Sequence, residues 1–197
     1  MQRGKLIVLS APSGSGKTTI AREIFRLYPE MLFSISATTR GKRDNEVDGK
    51  DYFFLSKDRF EEKIRNGELV EWEKYPNETH GNYYGTLKSE VDRALSTGKV
   101  MLFDVDVKGA LSIKRIYSDE AVLIFIKPPS FGELRDRLVN RRTEDEATVQ
   151  QRLDRMPMEM EQGAKFDHQV VNDNVLDAVR QIETISNAQT RLHTVQR

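Results

Sequence analysis

The sequence predicts an α/β protein built on a doubly wound parallel sheet, with ligands at the carboxyl ends of its strands. Three observations lead there. Short continuous runs of branched apolar residues recur, as strands buried on both faces require. Amphipathic helical periods separate or follow those runs. A glycine-rich turn joins the first run to the first helix, which is the opening half of a parallel β–α unit.

The first strand is Lys5–Ser10, apolar in its interior and halted by Ala11-Pro12-Ser13-Gly14. A helical period covers 16–28, with Ile20, Ile24, Phe25 and Leu27 on one face and Arg22, Glu23 and Arg26 off it; Pro29 stops it. The stretch 33–86 breaks the pattern. It is rich in Thr, Tyr, Gly, Asn and charge, with short alternating pieces such as Asp51-Tyr52-Phe53-Phe54-Leu55 and one clear helix over 57–66. It reads as a small, mostly β insertion between the first and second core strands. Further buried-strand runs follow at 100–103, closed by Asp104, at 121–126, and more weakly at 168–171. Helical periods cover 87–96, 109–116, 131–140, about 148–162, and 176 to near the C-terminus. Pro157 is expected to kink the fourth of these or to begin a new segment.

At 197 residues and 22.7 kDa the chain has room for one domain carrying an insertion. The 31 Lys and Arg balance the 31 Asp and Glu, which argues against a dedicated nucleic-acid binder with its basic excess. The absence of cysteine excludes disulfides, thiol catalysis and thiolate-bound metal. The longest wholly apolar run, 121–126, is far short of a membrane span, and 6–9 is too short for a signal-peptide core. The expected compartment is the cytoplasm. His80, His168 and His193 are too scattered for a metal triad, and Met156, Met158 and Met160 read as packing.

Ala11-Pro12-Ser13-Gly14-Ser15-Gly16-Lys17-Thr18, with Thr19 after it, follows a strand and opens a helix. The spacing is that of a P-loop with Ala at the first position. Gly14 and Gly16 let backbone N–H groups curl around anionic oxygens at the positive end of a helix dipole. Lys17 can reach terminal phosphates as a point charge, and the Thr18 hydroxyl can ligate Mg²⁺. The fold expected is therefore the three-layer α/β/α core of a P-loop NTPase. An acidic residue closing a neighbouring strand would complete the Mg²⁺ site, and Asp104 and Asp106 both qualify; either is also a common helix cap.

P-loop proteins hydrolyse, switch or transfer. The Asn-Lys-x-Asp element with which GTPases read guanine is absent; Val171-Asn172-Asp173-Asn174 lacks the Lys. The insertion instead carries Thr38-Thr39-Arg40-Gly41-Lys42-Arg43, Glu46-Val47-Asp48-Gly49-Lys50-Asp51-Tyr52, Glu71-Trp72 and Gly81-Asn82-Tyr83-Tyr84-Gly85-Thr86. In these motifs, their order and their separations, the sequence resembles the guanylate kinases over essentially its whole length.

The resemblance implies a core over 1–33, 87–136 and 156–197, a GMP-binding insertion over 34–86 and a helical lid over 137–155. It implies ATP-dependent phosphorylation of GMP, and of dGMP, with Mg²⁺, and only small-molecule partners: no nucleic acid and no membrane. Arg40, Arg43, Tyr52 and Tyr84 would hold the GMP phosphate, with Glu46 in the same acceptor site. Ser36, Glu71, Thr86 and Asp106 would face the guanine. Residues 11–19 would cradle ATP, Thr18 and Asp104 would position Mg²⁺, and Lys17 with Arg137, Arg141 and Arg152 would act on the transferring phosphoryl group. Guanine presents two adjacent donors that one carboxylate can accept together, whereas adenine presents a ring acceptor there. Lys42 and Asn45 stand where the family usually has Pro and Gly, the segment 75–80 is a few residues longer, and Arg142 is more often Gly. Two other readings compete: a kinase-like scaffold that grips phosphopeptides, and a kinase of another phosphorylated acceptor. The intact Gly16-Lys17-Thr18 speaks against the first, and the set Ser36, Glu71 and Thr86 against the second.

Overall fold

The computed structural model describes residues 3–75, 81–140 and 146–189. Its centre is a five-stranded, wholly parallel sheet in the order β2-β7-β1-β8-β9. The strands are β1 (Lys5–Ser10), β2 (Leu32–Phe33), β7 (Val100–Asp104), β8 (Ala121–Lys127) and β9 (His168–Val171). β1 lies between β7 and β8, and both of its faces are covered, which is why it reads as an unbroken apolar run.

Alternation along the strands divides the core into two layers. Leu6, Val8, Phe103, Leu123 and Phe125 pack on one side against α3 (Lys88–Ser96) and α4 (Val107–Tyr117). Ile7, Leu9, Leu102 and Ile124 pack on the other against α1 (Lys17–Leu27) and α7 (Val175–Gln189). The three-layer α/β/α core expected from the sequence is the architecture found.

The insertion forms a second sheet in the order β4-β3-β6-β5, with β3 (Ala37–Thr38), β4 (Phe53–Phe54), β5 (Leu69–Tyr75) and β6 (Asn82–Leu87). β5 and β6 run antiparallel and supply its long arm. The helix α2 (Lys57–Arg65) seals one face, its Phe60 fully buried against Ala37, Tyr83 and Leu87. Ser56 caps it, its hydroxyl accepting from the Arg59 amide at 3.3 Å. Val70 of β5 joins the core layer under α4, so the two sheets share a seam there.

Four details differ from expectation. The insertion follows a second core strand, because β2 pairs with β7 before the chain leaves the main sheet. Two residues are too few to show periodicity. Leu87 closes β6 opposite Leu69, and α3 starts one residue later. α4 starts at Val107, two residues before the expected helix. Pro157 begins no new element: α6 (Glu146–Gly163) runs through it after α5 (Phe131–Asn140). Among the described residues no helix is long and apolar enough to cross a membrane.

Candidate active site

The P-loop leaves β1 at Ser10 and turns into α1 through Gly14 and Gly16, whose φ angles of +90° and +85° need glycine. The loop is also held from outside. Asn172, just past β9, donates from Nδ2 to the Ser15 carbonyl at 2.7 Å, and a Cβ on Gly16 would lie 2.4 Å from that nitrogen. Ser118 is the one non-glycine residue with positive φ among those described, so Ala11 sits in ordinary backbone space.

Residues 11–19 wall one side of a cavity of about 530 Å³, a size suited to small ligands. Asp104 and Asp106 enter it from the carboxyl end of β7. Lys17 bridges the two halves of this wall, its Nζ 2.5 Å from Asp104 Oδ1 and 2.7 Å from the Val105 carbonyl. The Thr18 hydroxyl donates to Asp104 Oδ2 at 3.3 Å. Asp106 is both cap and wall: its Oδ1 accepts from the Gly109 amide at 2.7 Å while the residue lines the cavity.

One hydroxyl beside one carboxylate suits a hard cation that takes most of its ligands from water and phosphate, which is the habit of Mg²⁺. Among the described residues no cluster of three or more His, Cys, Asp or Glu forms a cage that would bind an ion without such help.

The opposite wall comes from α6. Arg152 donates to the Ser13 hydroxyl, and Arg155, Met158 and Glu159 line the cavity beside it. Burial pushes the Glu159 carboxyl up, and the Asp106 charge adds to this; Arg155, Lys17 and Arg152 oppose it. Arg137 takes another direction. It pairs with Glu133 at 2.6 Å and reaches the Asn172 carbonyl at 3.4 Å, and it does not line the cavity. Arg141 lies outside the described residues.

The acceptor candidates gather on the second sheet. Arg40 and Glu46 form a two-pronged ion pair at 2.6 and 3.0 Å, and Glu46 Oε2 also accepts from the Arg43 amide at 2.8 Å. These bonds, the Arg40 side chain foremost, hold the Glu46 carboxyl down at about 2. Glu46 thus positions Arg40. The guanidinium lies 5.3 Å from the Tyr52 ring centre, Tyr84 is within its hydrogen-bonding reach, and the Tyr52 and Tyr84 rings meet edge-on at 6.1 Å. Arg43 is exposed, and Ser36 holds β4 through its carbonyl, which accepts from the Phe53 amide at 2.9 Å.

Deeper in the same sheet, the Thr86 hydroxyl donates to Glu71 Oε1 at 2.6 Å. Burial pushes the Glu71 carboxyl up to about 6, with Asp106 and Glu73 adding to it and the Thr86 bond opposing it. Glu71 also approaches Gly109 of α4, where a Cβ would sit 3.4 Å from Oε2.

The fold therefore brings the P-loop, Asp104, Asp106 and Arg152 into one cavity, and Arg40, Glu46, Tyr52 and Tyr84 into a neighbouring cluster. Tyr75 connects them: it lines the cavity and meets the Tyr84 ring edge-on at 5.5 Å. Sequence reasoning missed Glu73, Tyr75, Arg155, Glu159 and Asn172. Glu73 and Tyr75 share the two-residue alternation of Glu71, and Arg155 and Glu159 share the helical face of Arg152, so a signal existed for both groups. Asn172 stands in Val171-Asn172-Asp173-Asn174, but no spacing marks its contact, which depends on packing across the sheet. Trp72, 46% exposed and 5.8 Å from the Tyr83 ring, faces away from the cavity.

A family model described as guanylate kinase matches residues 3–189. The guanylate kinase of Salinibacter ruber is 48% identical over 180 residues, 91% of this chain and 93% of that one. That of Chlorobium luteolum is 45% identical over 179 residues, 91% and 89% of the two chains. The crystal structure of guanylate kinase from Anaplasma phagocytophilum superposes with a TM-score of 0.72 at 28% identity, covering 96% of this chain and 88% of that one. Because the match runs unbroken from the first core strand to the last helix, P-loop and insertion included, the chain belongs to the guanylate kinase family.

Proposed function

We propose that this enzyme transfers the terminal phosphoryl group of ATP to GMP, yielding ADP and GDP, and that dGMP is also an acceptor. The observation that carries the guanine assignment is the pair of partly buried Glu71 and buried Thr86, set on the sheet that bears Tyr84 and is flanked by Arg40 and Tyr52. An ionised Glu71 accepts the imino and amine protons of guanine together. Adenine would leave that carboxylate facing an acceptor, a mismatch of about 1–3 kcal/mol or more.

In this reading Arg40, held by Glu46, grips the acceptor phosphate with Tyr52, Tyr84 and Arg43. The anionic oxygen of that phosphate attacks the terminal phosphorus of ATP, the bond to the bridging oxygen breaks, and ADP leaves; no general base is needed. The P-loop amides and Lys17 hold the donor phosphates, and a phosphate oxygen would compete with Asp104 for the Lys17 protons. Arg152 and Arg155 face the same space from α6 and would neutralise charge on the group in flight. Thr18 and Asp104 would hold Mg²⁺, which when bound supplies further neutralisation of the phosphate charge. Segment 137–155, with Arg137 and Arg141, serves as the lid, 34–86 as the acceptor-binding insertion and the remainder as the core.

The test is a coupled ADP-release assay with ATP and each of GMP, dGMP, AMP, CMP and UMP. Strong stimulation by GMP, measurable stimulation by dGMP and none by AMP is the expected pattern. No stimulation by GMP would sink the proposal, and equal use of AMP would sink the role of Glu71.

A further inference from the structure

We propose that Glu73 accepts a hydrogen bond from a ribose hydroxyl of the acceptor nucleotide and so determines how strongly the enzyme prefers an intact ribose. The assignment rests on the proposed GMP site and deepens it. β5 and β6 pair Glu71 with Thr86 and Glu73 with Tyr84. The first pair is the base-reading rung. Tyr84 belongs to the phosphate end, where Tyr75 packs against it at 5.5 Å. Alternate residues of a strand share a face and stand about 6.5–7 Å apart. Glu71, Glu73 and Tyr75 therefore form a row running from the base end of the acceptor site towards its phosphate end. In a nucleoside monophosphate the sugar joins base to phosphate, and Glu73 stands at that rung.

Charge supports the same placement. A carboxylate on the wall of a cavity that takes one polyanion, with a second anion site beside it, repels both unless it meets a donor. Glu73 is such a wall residue, partly buried; Tyr75 supplies it one side-chain donor, Asp106 is a second hydrogen-bonding neighbour and Lys108 a nearby cation, and the ligand would supply a further donor. A carboxylate only accepts hydrogen bonds. The donors of GMP are its imino N–H, its amine and its two ribose hydroxyls. Glu71 takes the first two, and the hydroxyls are left for Glu73. Asp106 is less free to serve, since its Oδ1 already caps α4 at Gly109.

The test compares GMP, 2′-deoxy-GMP and 3′-deoxy-GMP on the wild type, Glu73→Ala and Glu73→Gln, by steady-state kinetics and by calorimetric binding without ATP. In the wild type at least one deoxy acceptor should lose about tenfold in kcat/KM, mostly through KM. Which analogue loses identifies the hydroxyl. In Glu73→Ala, GMP should fall by a similar factor while the penalty for that analogue shrinks below about threefold. Glu73→Gln keeps an accepting oxygen and should lie between the two; it decides the matter alone if the alanine variant does not fold. The proposal is overturned if the wild type treats all three acceptors alike, if the deoxy penalty survives in the variants, or if the variants lose all three equally, as a structural tie to Lys108 or Tyr75 would have it. A wild type that does not turn over GMP at all overturns the functional reading itself, whereas the other failures leave it standing.

Discussion

Glu71 is costly to the fold at the position proposed to read guanine. Its carboxyl, pushed up to about 6 from an ordinary 4.5, binds a proton more readily in the folded chain than in the unfolded one. Stability is therefore unaffected below about pH 4.5, falls as pH rises to about 6, and above that carries a penalty of about 2 kcal/mol. Glu71→Gln removes the charge and keeps an oxygen for the Thr86 hydroxyl. It should raise Tm at pH 7.5 by about 2–4 °C per kcal/mol recovered, with the gain vanishing below about pH 4.5. The same variant should raise KM for GMP by about tenfold or more, because one of the two guanine protons loses its acceptor. Wild-type GMP affinity should also weaken below about pH 6 as Glu71 protonates. Part of any such profile comes from the substrate phosphate, whose second ionisation lies at about 6. Glu71→Gln keeps the phosphate's contribution and should lose the rest, so the difference between the two profiles isolates the carboxyl.

At the scale of one element, α6 carries the cavity-facing arginines and is anchored at its C-terminal end. Gly163 sits so close to β8 that a Cβ there would lie 2.4–2.5 Å from three atoms of the fully buried Phe125 ring. Gly163→Ala should therefore destabilise by about 1–3 kcal/mol through overpacking, read as a lowered Tm. Pro157 acts oppositely, lacking the N–H that would bond to the Leu153 carbonyl. Pro157→Ala should stabilise α6 by about 1 kcal/mol or more and raise Tm by a few degrees. The element also shows what sequence patterns can convey. Its helical period was legible, and Pro157 then suggested an interruption, but tertiary anchoring at Gly163 and Met160 lets the helix run on. β1, β7 and β8 were legible because burial on both faces leaves one kind of residue along them. β5 was harder, since only Val70 of Leu69–Tyr75 is buried and the exposed Trp72 and Lys74 alternate with Glu71 and Glu73. The two-residue β2 exists only through its pairing with β7.

For the whole molecule, a net charge of zero conceals two separate cationic centres built on different sheets, the proposed donor- and acceptor-phosphate sites. Lys17 belongs to the parallel sheet and Arg40 to the insertion. Each is neutralised by its own carboxylate, Asp104 and Glu46, so the summed charge says nothing about either. The motif around Lys17 was legible because the P-loop is contiguous in sequence. The residues proposed to read guanine and phosphate are spread from Ser36 to Asp106, so their grouping rested on resemblance rather than on spacing alone. Asn172, which ties the end of the last core strand to the P-loop, stood in the sequence within Val171-Asn172-Asp173-Asn174, but no spacing marked its contact with Ser15. Because the centres share no ion pair among the described residues, damage to one should leave ligand binding at the other largely intact. Lys17→Ala should abolish turnover while GMP binding, measured by calorimetry, stays within about threefold of wild type. Arg40→Ala should weaken GMP by about tenfold or more, the scale of a lost charge-assisted fork, with ATP binding changed little. It also leaves Glu46 without its cation, so Arg40→Lys is the companion variant: charge is kept, the fork is lost, and GMP affinity should fall between the two. Loss of ATP binding in Arg40→Ala with GMP binding retained would reverse the assignment of donor and acceptor sites.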